Sequence, residues 1–284
     1  GLLRKSLVDG GLDFLIGAQT ETFLGDEANG RERAVFQRLH PVFAGVVNED
    51  IAAVTEHLAA KGMTTPRVLA ADDGALFVDD PDEHRPWRAL TLVDGAVSVD
   101  RVDSPERARA AGSLVARFHR AVADLAYDYR HVRAGVHDTA QHFAVLARAV
   151  DEHRDHRLFA HVEPLARAIL STSIPDFSRL PLRHTHGDLK ISNVLFDAAS
   201  GDGVCLVDLD TLGKMIWPSE MGDALRSWTN PAGEDVERAD VDFAIFAAAL
   251  DGYAAGGGRD VVTGAEVDAL VDGVHLIGAE LAAR

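Results

Sequence analysis

The 284-residue sequence has a single cysteine, Cys205, and therefore cannot form a disulfide within the chain. It also has no apolar run near the roughly 18 residues that a membrane span requires, and no apolar signal segment opens the printed chain. The scarcity of cysteine indicates a reducing compartment. Together these absences predict a cytoplasmic protein without a membrane partner.

Cationic residues are also scarce. The chain has 28 Lys and Arg against 45 Asp and Glu, which gives a net charge of −17. Nucleic-acid phosphates are bound by clustered cations, so this balance argues against a nucleic-acid partner and suits a neutral or cationic small molecule. The apolar content of 47% is ordinary for a globular protein, and the length is sufficient for two lobes with a buried core.

The most informative segment is HTHGDLKISN at residues 184–193. It contains Asp188, a lysine two residues later (Lys190) and an asparagine five residues later (Asn193). Transfer of a phosphoryl group from a magnesium nucleotide requires such groups: a base for the acceptor hydroxyl, a cation near the γ-phosphate and oxygen ligands for the metal. The spacing resembles a kinase catalytic loop, although each residue type is also an ordinary turn former.

A predicted β-hairpin follows this segment. Two short apolar runs, at residues 193–197 and 204–208, flank a stretch that is rich in turn-forming residues. A hairpin brings the residue that enters its first strand beside the residue that leaves its second strand. We therefore expect Asn193 and Asp208 to be neighbours that can share a metal ion.

The rest of the chain divides into two zones. Residues 1–93 mix Gly-rich turns with short strand-like runs and one helix, for which Asn48 is the expected N-cap. From Ser104 onward, helical patterns dominate. The pattern predicts an α+β, two-lobed protein-kinase-like fold, with a small strand-rich lobe at 1–94, a larger and mostly helical lobe at 95–284, and nucleotide in the cleft between them.

Several separated motifs carry a resemblance to a known superfamily. They are H-G-D at 186–188, where protein kinases have H-R-D, FQRLH at 36–40, VDLDT at 207–211 and GDALR at 222–226. The chain resembles the aminoglycoside-phosphotransferase and choline-kinase superfamily, and within it looks most like the N-acetylhexosamine 1-kinase group of sugar kinases. The resemblance implies transfer of the γ-phosphate of ATP to a hydroxyl group.

The resemblance also implies roles for the catalytic segment. Asp188 would orient the acceptor hydroxyl and accept its proton, and Lys190 would stabilise the transferring phosphoryl group. Asn193 and Asp208 would bind Mg²⁺ through an amide oxygen and a carboxylate.

Five further residues receive supporting or acceptor-side roles. His186 and Asp223 would support the catalytic loop, with Asp223 accepting hydrogen bonds from backbone N–H groups. Asp210, Arg226 and His137 are candidates for the acceptor site. Each of the three also has an alternative role. Asp210 is equally suited to cap a helix, and Arg226 is equally suited to form an ion pair with Asp223. The alternative for His137 is a capping or exposed residue.

Two segments of the small lobe are expected to contact the nucleotide. Gly17 and Thr20 belong to the turn 17–23, whose backbone amides would approach the phosphates, although this turn lacks a G-x-G-x-x-G pattern. The hinge at 90–95, which includes Leu92, would bind adenine mainly through backbone groups.

Kinases of this class also pair a strand cation with a helix acid beside the nucleotide. Arg38 is the expected cation, with Gln37 as an alternative occupant of the position. The expected acid is Glu49, with Asp50 and Glu56 as alternatives.

Three functional interpretations follow from the sequence. The first is a kinase for an amino sugar or N-acetylhexosamine, with the anomeric hydroxyl among the candidate positions. The second is an aminoglycoside or amino-alcohol (choline-like) phosphotransferase, for which the acidic run from 235 to 242 would supply negative charge. The third is a non-catalytic pseudokinase that binds nucleotide.

Overall fold

A computed structural model of the chain describes residues 12–16, 21–26, 33–80, 85–131, 137–232 and 240–284. The N-terminal part is rich in strands and the C-terminal part is mainly helical. This arrangement confirms the predicted α+β, kinase-like fold class. The predicted turn residues Gly17 and Thr20 lie outside the described residues.

The N-terminal part is an antiparallel sheet with one helix. Its elements are β1 (Leu12–Ile16), β2 (Glu21–Asp26), β3 (Arg33–Arg38), α1 (Val47–Ala60), β4 (Val68–Leu69), β5 (Val78–Asp79) and β6 (Pro86–Thr91). The strands pair in the order β1-β2-β3-β6-β4, and β5 also pairs with β6. In this register Gln37 of β3 lies opposite Arg88 of β6, and Arg38 lies opposite Trp87.

Helix α1 packs its apolar face into the core. Ile51, Val54 and Leu58 follow helical spacing and are buried. The helix begins at Val47, one residue before the predicted cap, so Asn48 lies inside the first turn and no side chain caps the helix. The fully buried Asn48 side chain instead donates a hydrogen bond to the Gly45 carbonyl at 2.9 Å.

The C-terminal part combines short strands with most of the helices. Its elements are β7 (Ala96–Val97), α2 (Pro105–Val122), α3 (Thr139–Glu152), α4 (Phe159–Leu170), β8 (Leu182–Thr185), β9 (Val194–Asp197), β10 (Gly203–Leu206), β11 (Gly213–Ile216), α5 (Trp217–Trp228), α6 (Phe243–Ala255), α7 (Gly264–Asp268) and α8 (Leu270–Ala283). Strands β9 and β10 form the predicted hairpin, and β7 pairs with β9. Strand β8, which leads into the catalytic segment, pairs with β11.

The core of the C-terminal part depends on a very close approach of α2 and α6. A Cβ added at Gly112 would lie 2.1 Å from the Ala249 carbonyl oxygen, and one added at Gly252 would lie 2.0 Å from the Arg109 carbonyl oxygen. Only glycine fits at these two positions. The contact fixes α2, which packs against the β9–β10 hairpin. The hairpin in turn positions the catalytic segment that precedes it. No helix among the described residues is both long enough and apolar enough to cross a membrane.

A buried ion pair fixes β8 to α7. Glu266 accepts hydrogen bonds from Arg183 Nε at 2.6 Å and Arg183 Nη2 at 2.7 Å, and its side chain is 0% exposed. It also accepts hydrogen bonds from the backbone and hydroxyl of Thr263, each at 2.8 Å. Burial raises the pKa of Glu266, but the hydrogen bonds from Arg183 and Thr263 outweigh burial and hold it below the ordinary value of 4.5.

We expect Arg183→Gln to lower the free energy of unfolding by about 3 kcal/mol at pH 7, because it leaves Glu266 buried without its cation. Since the folded pKa of Glu266 is lowered, its stabilisation is complete above pH 4.5 and is lost as the pH falls through the folded value. The wild type should therefore lose more stability than the variant between pH 5 and pH 3. Urea unfolding at several pH values measures both, with Arg107→Gln, from an exposed pair, as the control. Equal acid sensitivity of wild type and Arg183→Gln would contradict the assignment.

Candidate functional site

The catalytic segment is held by a fully buried histidine. The backbone N–H of Asp188 donates to His186 Nδ1 at 3.3 Å, so His186 Nε2 carries the proton and donates to the Val207 carbonyl at 2.9 Å. The ring therefore ties the backbone beside Asp188 to the residue before Asp208. The ring thus contacts the loop through its own hydrogen bonds, and its support role stays a prediction.

A glycine allows the chain to turn directly after this histidine. Gly187 has φ +81°, and an added Cβ would lie 2.3 Å from the Thr211 carbonyl oxygen. The Thr211 hydroxyl donates to the His186 carbonyl at 2.8 Å. Any larger residue at position 187 would combine backbone strain with a clash against the segment that follows Asp208.

Glu220 of α5 is the carboxylate that supports the loop. It accepts hydrogen bonds from the backbone N–H groups of His186 at 2.8 Å and Gly187 at 3.0 Å, and it is 2% exposed. Burial raises the pKa of Glu220, but hydrogen bonding to His119 and these contacts outweigh burial and lower it. The support expected from Asp223 therefore comes from Glu220, one helical turn earlier. Asp223 instead pairs with Arg226 at 3.1 Å.

Lys190 lies between the two aspartates of the site. Its Nζ is 3.0 Å from Asp188 Oδ2 and 3.7 Å from Asp208 Oδ2. Burial lowers the pKa of Lys190, but the attraction of both carboxylates outweighs it and raises the pKa above its ordinary value. A charged ammonium group is thus held between the two carboxylates.

Asn193 and Asp208 provide oxygen atoms that suit a divalent cation. Asn193 Nδ2 donates to the Asp188 carbonyl at 2.9 Å and to Asp188 Oδ2 at 3.1 Å, which leaves Oδ1 for a cation. Asp208 adopts a left-handed conformation with φ 62°, a strained geometry for a residue other than glycine. No cluster of three His, Cys, Asp or Glu side chains that would form an all-protein metal cage occurs among the described residues. One carboxylate and one amide oxygen fit Mg²⁺, which keeps waters and shares phosphate oxygens.

The carboxyl group of Asp208 is electrostatically unusual. Burial is the largest cause that raises its pKa, and the neighbouring Asp210 carboxylate raises it further, while Lys190 lowers it. A bound cation would favour the ionised form and offset this cost. The position is therefore one where a positive ligand stabilises the protein.

A cavity of about 240 Å³ opens next to these residues. Its wall is mostly apolar, with side chains from the sheet, from the 90–95 segment and from the hairpin, and it includes Leu92 and Asp208. A mostly apolar cavity that also includes a carboxylate suits a flat nucleotide base beside a metal-bound phosphate group. Leu92 lies at the expected nucleotide cleft.

The strand cation predicted at Arg38 is not at this cavity. Neighbouring residues of a strand point to opposite faces, and Gln37 faces the cavity. The Arg38 guanidinium lies 5.6 Å from the centre of the Trp87 ring. Arg88, which sequence reasoning missed, lines the cavity beside Gln37.

The predicted helix acids also have other partners. Glu49 forms an ion pair with Arg130. Asp50 accepts hydrogen bonds from the Tyr127 hydroxyl and from the backbone N–H groups of Arg130 and His131, all at 2.8 Å. Both carboxylates therefore hold the 127–131 segment of the C-terminal part. Glu56, the third alternative, is exposed.

Asp210 is the partner of Arg88. The two side chains form a bidentate ion pair, with Nη2 donating to Oδ2 at 2.9 Å and Nη1 donating to Oδ1. Asp210 is 2% exposed and lies in a short 3₁₀ turn at Leu209–Thr211. Both of its oxygens are directed to Arg88, so in this arrangement it neither caps a helix nor faces an acceptor.

One of the remaining acceptor-side candidates, Asp223, lies close enough to Asp188 to be influenced by its charge. Burial raises the pKa of Asp223, Arg226 and His137 oppose that rise, and the charge of Asp188 adds to it. His137 has φ 54°, and its Nδ1 is 3.5 Å from Oε1 of Glu280 on α8. Asp223 therefore interacts with two cationic side chains, in a direct ion pair with Arg226 and through the charge of His137.

The chain matches one protein family and is similar in fold to several solved structures. Residues 15–262 match the profile of a family described as "Phosphotransferase enzyme family". An amicoumacin kinase solved with AMP-PNP and Ca²⁺ has a TM-score of 0.66 at 13% identity over 98% of this chain and 83% of that chain. A microcompartment-associated aminopropanol kinase has a TM-score of 0.59 at 18% identity over 97% of this chain and 83% of that one. An aminoglycoside phosphotransferase from Alicyclobacillus acidocaldarius has a TM-score of 0.57 at 15% identity over 96% and 91%.

We expect Glu220→Gln to lower the free energy of unfolding by about 1–3 kcal/mol, because an amide has a single acceptor oxygen for two buried N–H groups. Asp223→Asn is the matched control on the same helix and should cost less, since Asp223 makes neither backbone contact. Urea unfolding at neutral pH measures both variants. Equal losses in the two variants would contradict the support role of Glu220.

Proposed function

The chain belongs to the phosphotransferase enzyme family, and from that premise we propose that it transfers the γ-phosphate of MgATP to a hydroxyl group of a small molecule. The observation that carries the proposal is the grouping of Asp188 and Asp208 around Lys190 within ion-pair distance, with Asp208 also lining the mostly apolar cavity. Asn193 completes the group through its hydrogen bonds to Asp188.

Asp188 would act on the acceptor hydroxyl. Its backbone is fixed through His186 and its carboxylate through Asn193, so the oxygen that receives the hydroxyl hydrogen bond has little freedom. Phosphoryl transfer has a loose transition state in which positioning matters more than strong proton abstraction. We expect alignment of the acceptor oxygen to be the main contribution of Asp188.

Lys190 would place positive charge beside the transferring group. The two carboxylates keep its ammonium group charged and in place. Charge develops on the phosphoryl oxygens during transfer, and a fixed cation stabilises it. Asn193 Oδ1 and the Asp208 carboxylate would hold Mg²⁺, which when bound neutralises phosphate charge.

The first candidate acceptor is an amino sugar or N-acetylhexosamine. Asp223 forms an ion pair with Arg226 and also interacts with the charge of His137, so these three candidates are not a purely acidic group. Mixed donors and acceptors suit the hydroxyl groups of a sugar. The anomeric hydroxyl remains among the candidate positions.

The second candidate acceptor is an aminoglycoside or amino alcohol. The fold similarity to an amicoumacin kinase and an aminopropanol kinase supports it. The acidic run gives less support: residues 235 and 237 lie outside the described part, and Asp242 caps α6 by accepting hydrogen bonds from Ala244 N at 2.8 Å and Ile245 N at 3.1 Å.

We expect Asp188→Asn to reduce kcat by about 10²–10⁴-fold and to leave the Kd for MgATP within a few-fold of wild type. Loss of the negative charge weakens the alignment of the acceptor hydroxyl and removes the acceptor for its proton, whereas the nucleotide contacts remain. ADP release and an ATP titration measure the two quantities. Asp197→Asn, at the turn of the hairpin, is the control and should retain turnover. Wild-type turnover in Asp188→Asn would show that the catalytic assignment is incorrect.

An acceptor panel separates the two candidate substrates. Magnesium-dependent ADP release should be strongest with glucosamine, galactosamine or their N-acetyl forms, and phosphorus NMR should locate the phosphate on one hydroxyl. Stimulation only by aminoglycosides or choline would move the assignment to the second candidate. Absence of stimulation by every amine and sugar, with ATP still bound, would contradict both.

A further inference from the structure

The two charges that kinases place beside the nucleotide are missing from their usual elements in this chain. A strand cation and a helix acid normally form a pair that contacts the nucleotide phosphates. The β3 residues that line the cavity are Val35 and Gln37, and the α1 residue that shares Arg88 with Gln37 is Asn48. All three side chains are neutral. The usual positions of this pair therefore supply no positive charge for the phosphates.

Arg88 of β6 occupies the space between these neutral residues. Its Nε donates to Gln37 Oε1 at 2.8 Å, and its Nη1 donates to Asn48 Oδ1 at 3.4 Å. Asp210 accepts from both terminal nitrogens. The side chains of Arg88 and Asp210 are 1% and 0% exposed. A cation on the adjacent strand and an acid on the segment after Asp208 thus form the pair that β3 and α1 lack.

Stability alone does not explain why an ion pair is buried at this position. A buried ion pair is often no more stabilising than apolar residues of the same volume, because both charges lose their hydration. Arg88 nevertheless lies at the wall of the cavity that also contains Asp208. A guanidinium has five N–H groups, and acceptors among the described residues account for four. The fifth, on Nη2, has no acceptor within that part of the chain.

We propose that Arg88 binds phosphate oxygens of the nucleotide, and that Asp210 is the positioning residue that holds its guanidinium in the cavity. The inference rests on the proposed function and identifies the cation of its nucleotide site. Asp210 follows Asp208 by two residues in the same short turn. Arg88 would thereby connect the phosphate contact of the N-terminal sheet to the segment that carries the metal ligand.

The test compares nucleotides with and without phosphates. Equilibrium binding of ATP, ADP and adenosine is measured calorimetrically for wild type and Arg88→Gln. Loss of charge-assisted hydrogen bonds should weaken ATP and ADP binding by about 10- to 100-fold. Adenosine binding should stay within about threefold of wild type, because a residue that contacts only phosphates does not affect it. Arg88→Lys, which keeps the charge but not the bidentate geometry, should have intermediate ATP affinity.

Two further variants keep the test decisive if Arg88→Gln is unstable. Arg88→Gln/Asp210→Asn removes both charges together, so no buried carboxylate is left without a cation. It should show the same selective loss of ATP and ADP affinity. Arg183→Gln, which breaks a different bidentate pair, is the matched control and should leave the ratio of ATP to adenosine affinity unchanged.

Each outcome separates the inference from the proposed function. Selective loss of phosphate-bearing ligands supports the role of Arg88. Equal weakening of ATP and adenosine, or unchanged affinity for both, in a wild type that binds ATP overturns that role and leaves the proposed function standing. Failure of the wild type to bind ATP overturns both.

Discussion

The site depends on the hydrogen bonds that fix the backbone of the catalytic loop. Glu220 accepts hydrogen bonds from two backbone N–H groups of this loop. The buried His186 ring joins the loop to the end of the hairpin. Asn193 and Lys190 also contact the Asp188 carboxylate, so the side chain is held together with the backbone of its loop. Buried polar groups of this kind are costly unless every donor has an acceptor, so the network strongly favours one backbone conformation. Positioning of this type is the main requirement of phosphoryl transfer.

Charged contacts across the two parts of the chain are a second common feature. The acids of α1, expected to pair within the small lobe, instead hold residues 127–131 of the C-terminal part. Arg88 of the sheet pairs with Asp210, two residues after Asp208, the proposed metal ligand. Both sets of contacts connect the strand-rich part to the helical part. The relative placement of the two parts is thus specified by polar contacts as well as by apolar packing.

Local sequence patterns predicted the fold class and the hairpin after the catalytic segment, because spacing within one loop determines which side chains meet. They did not predict Arg88, since its partners come from β3, α1 and the turn after Asp208, which are far apart in the chain. The sequence also predicted Asp223 as the support of the loop, where the structure has Glu220. The two residues are one turn apart on α5, and only the packed orientation of the helix decides which carboxylate reaches the loop. Gln37 and Arg38 are neighbours on β3, so their side chains point to opposite faces of the strand.

The most direct test of the central claim is a crystal structure with Mn²⁺ and a non-hydrolysable ATP analogue, in which anomalous scattering locates the metal. The account predicts Mn²⁺ bound by Asn193 Oδ1 and the Asp208 carboxylate, with the γ-phosphate facing Asp188 and the base in the cavity that Leu92 lines. Metal bound away from Asn193 and Asp208, or a nucleotide outside that cavity, would contradict the account.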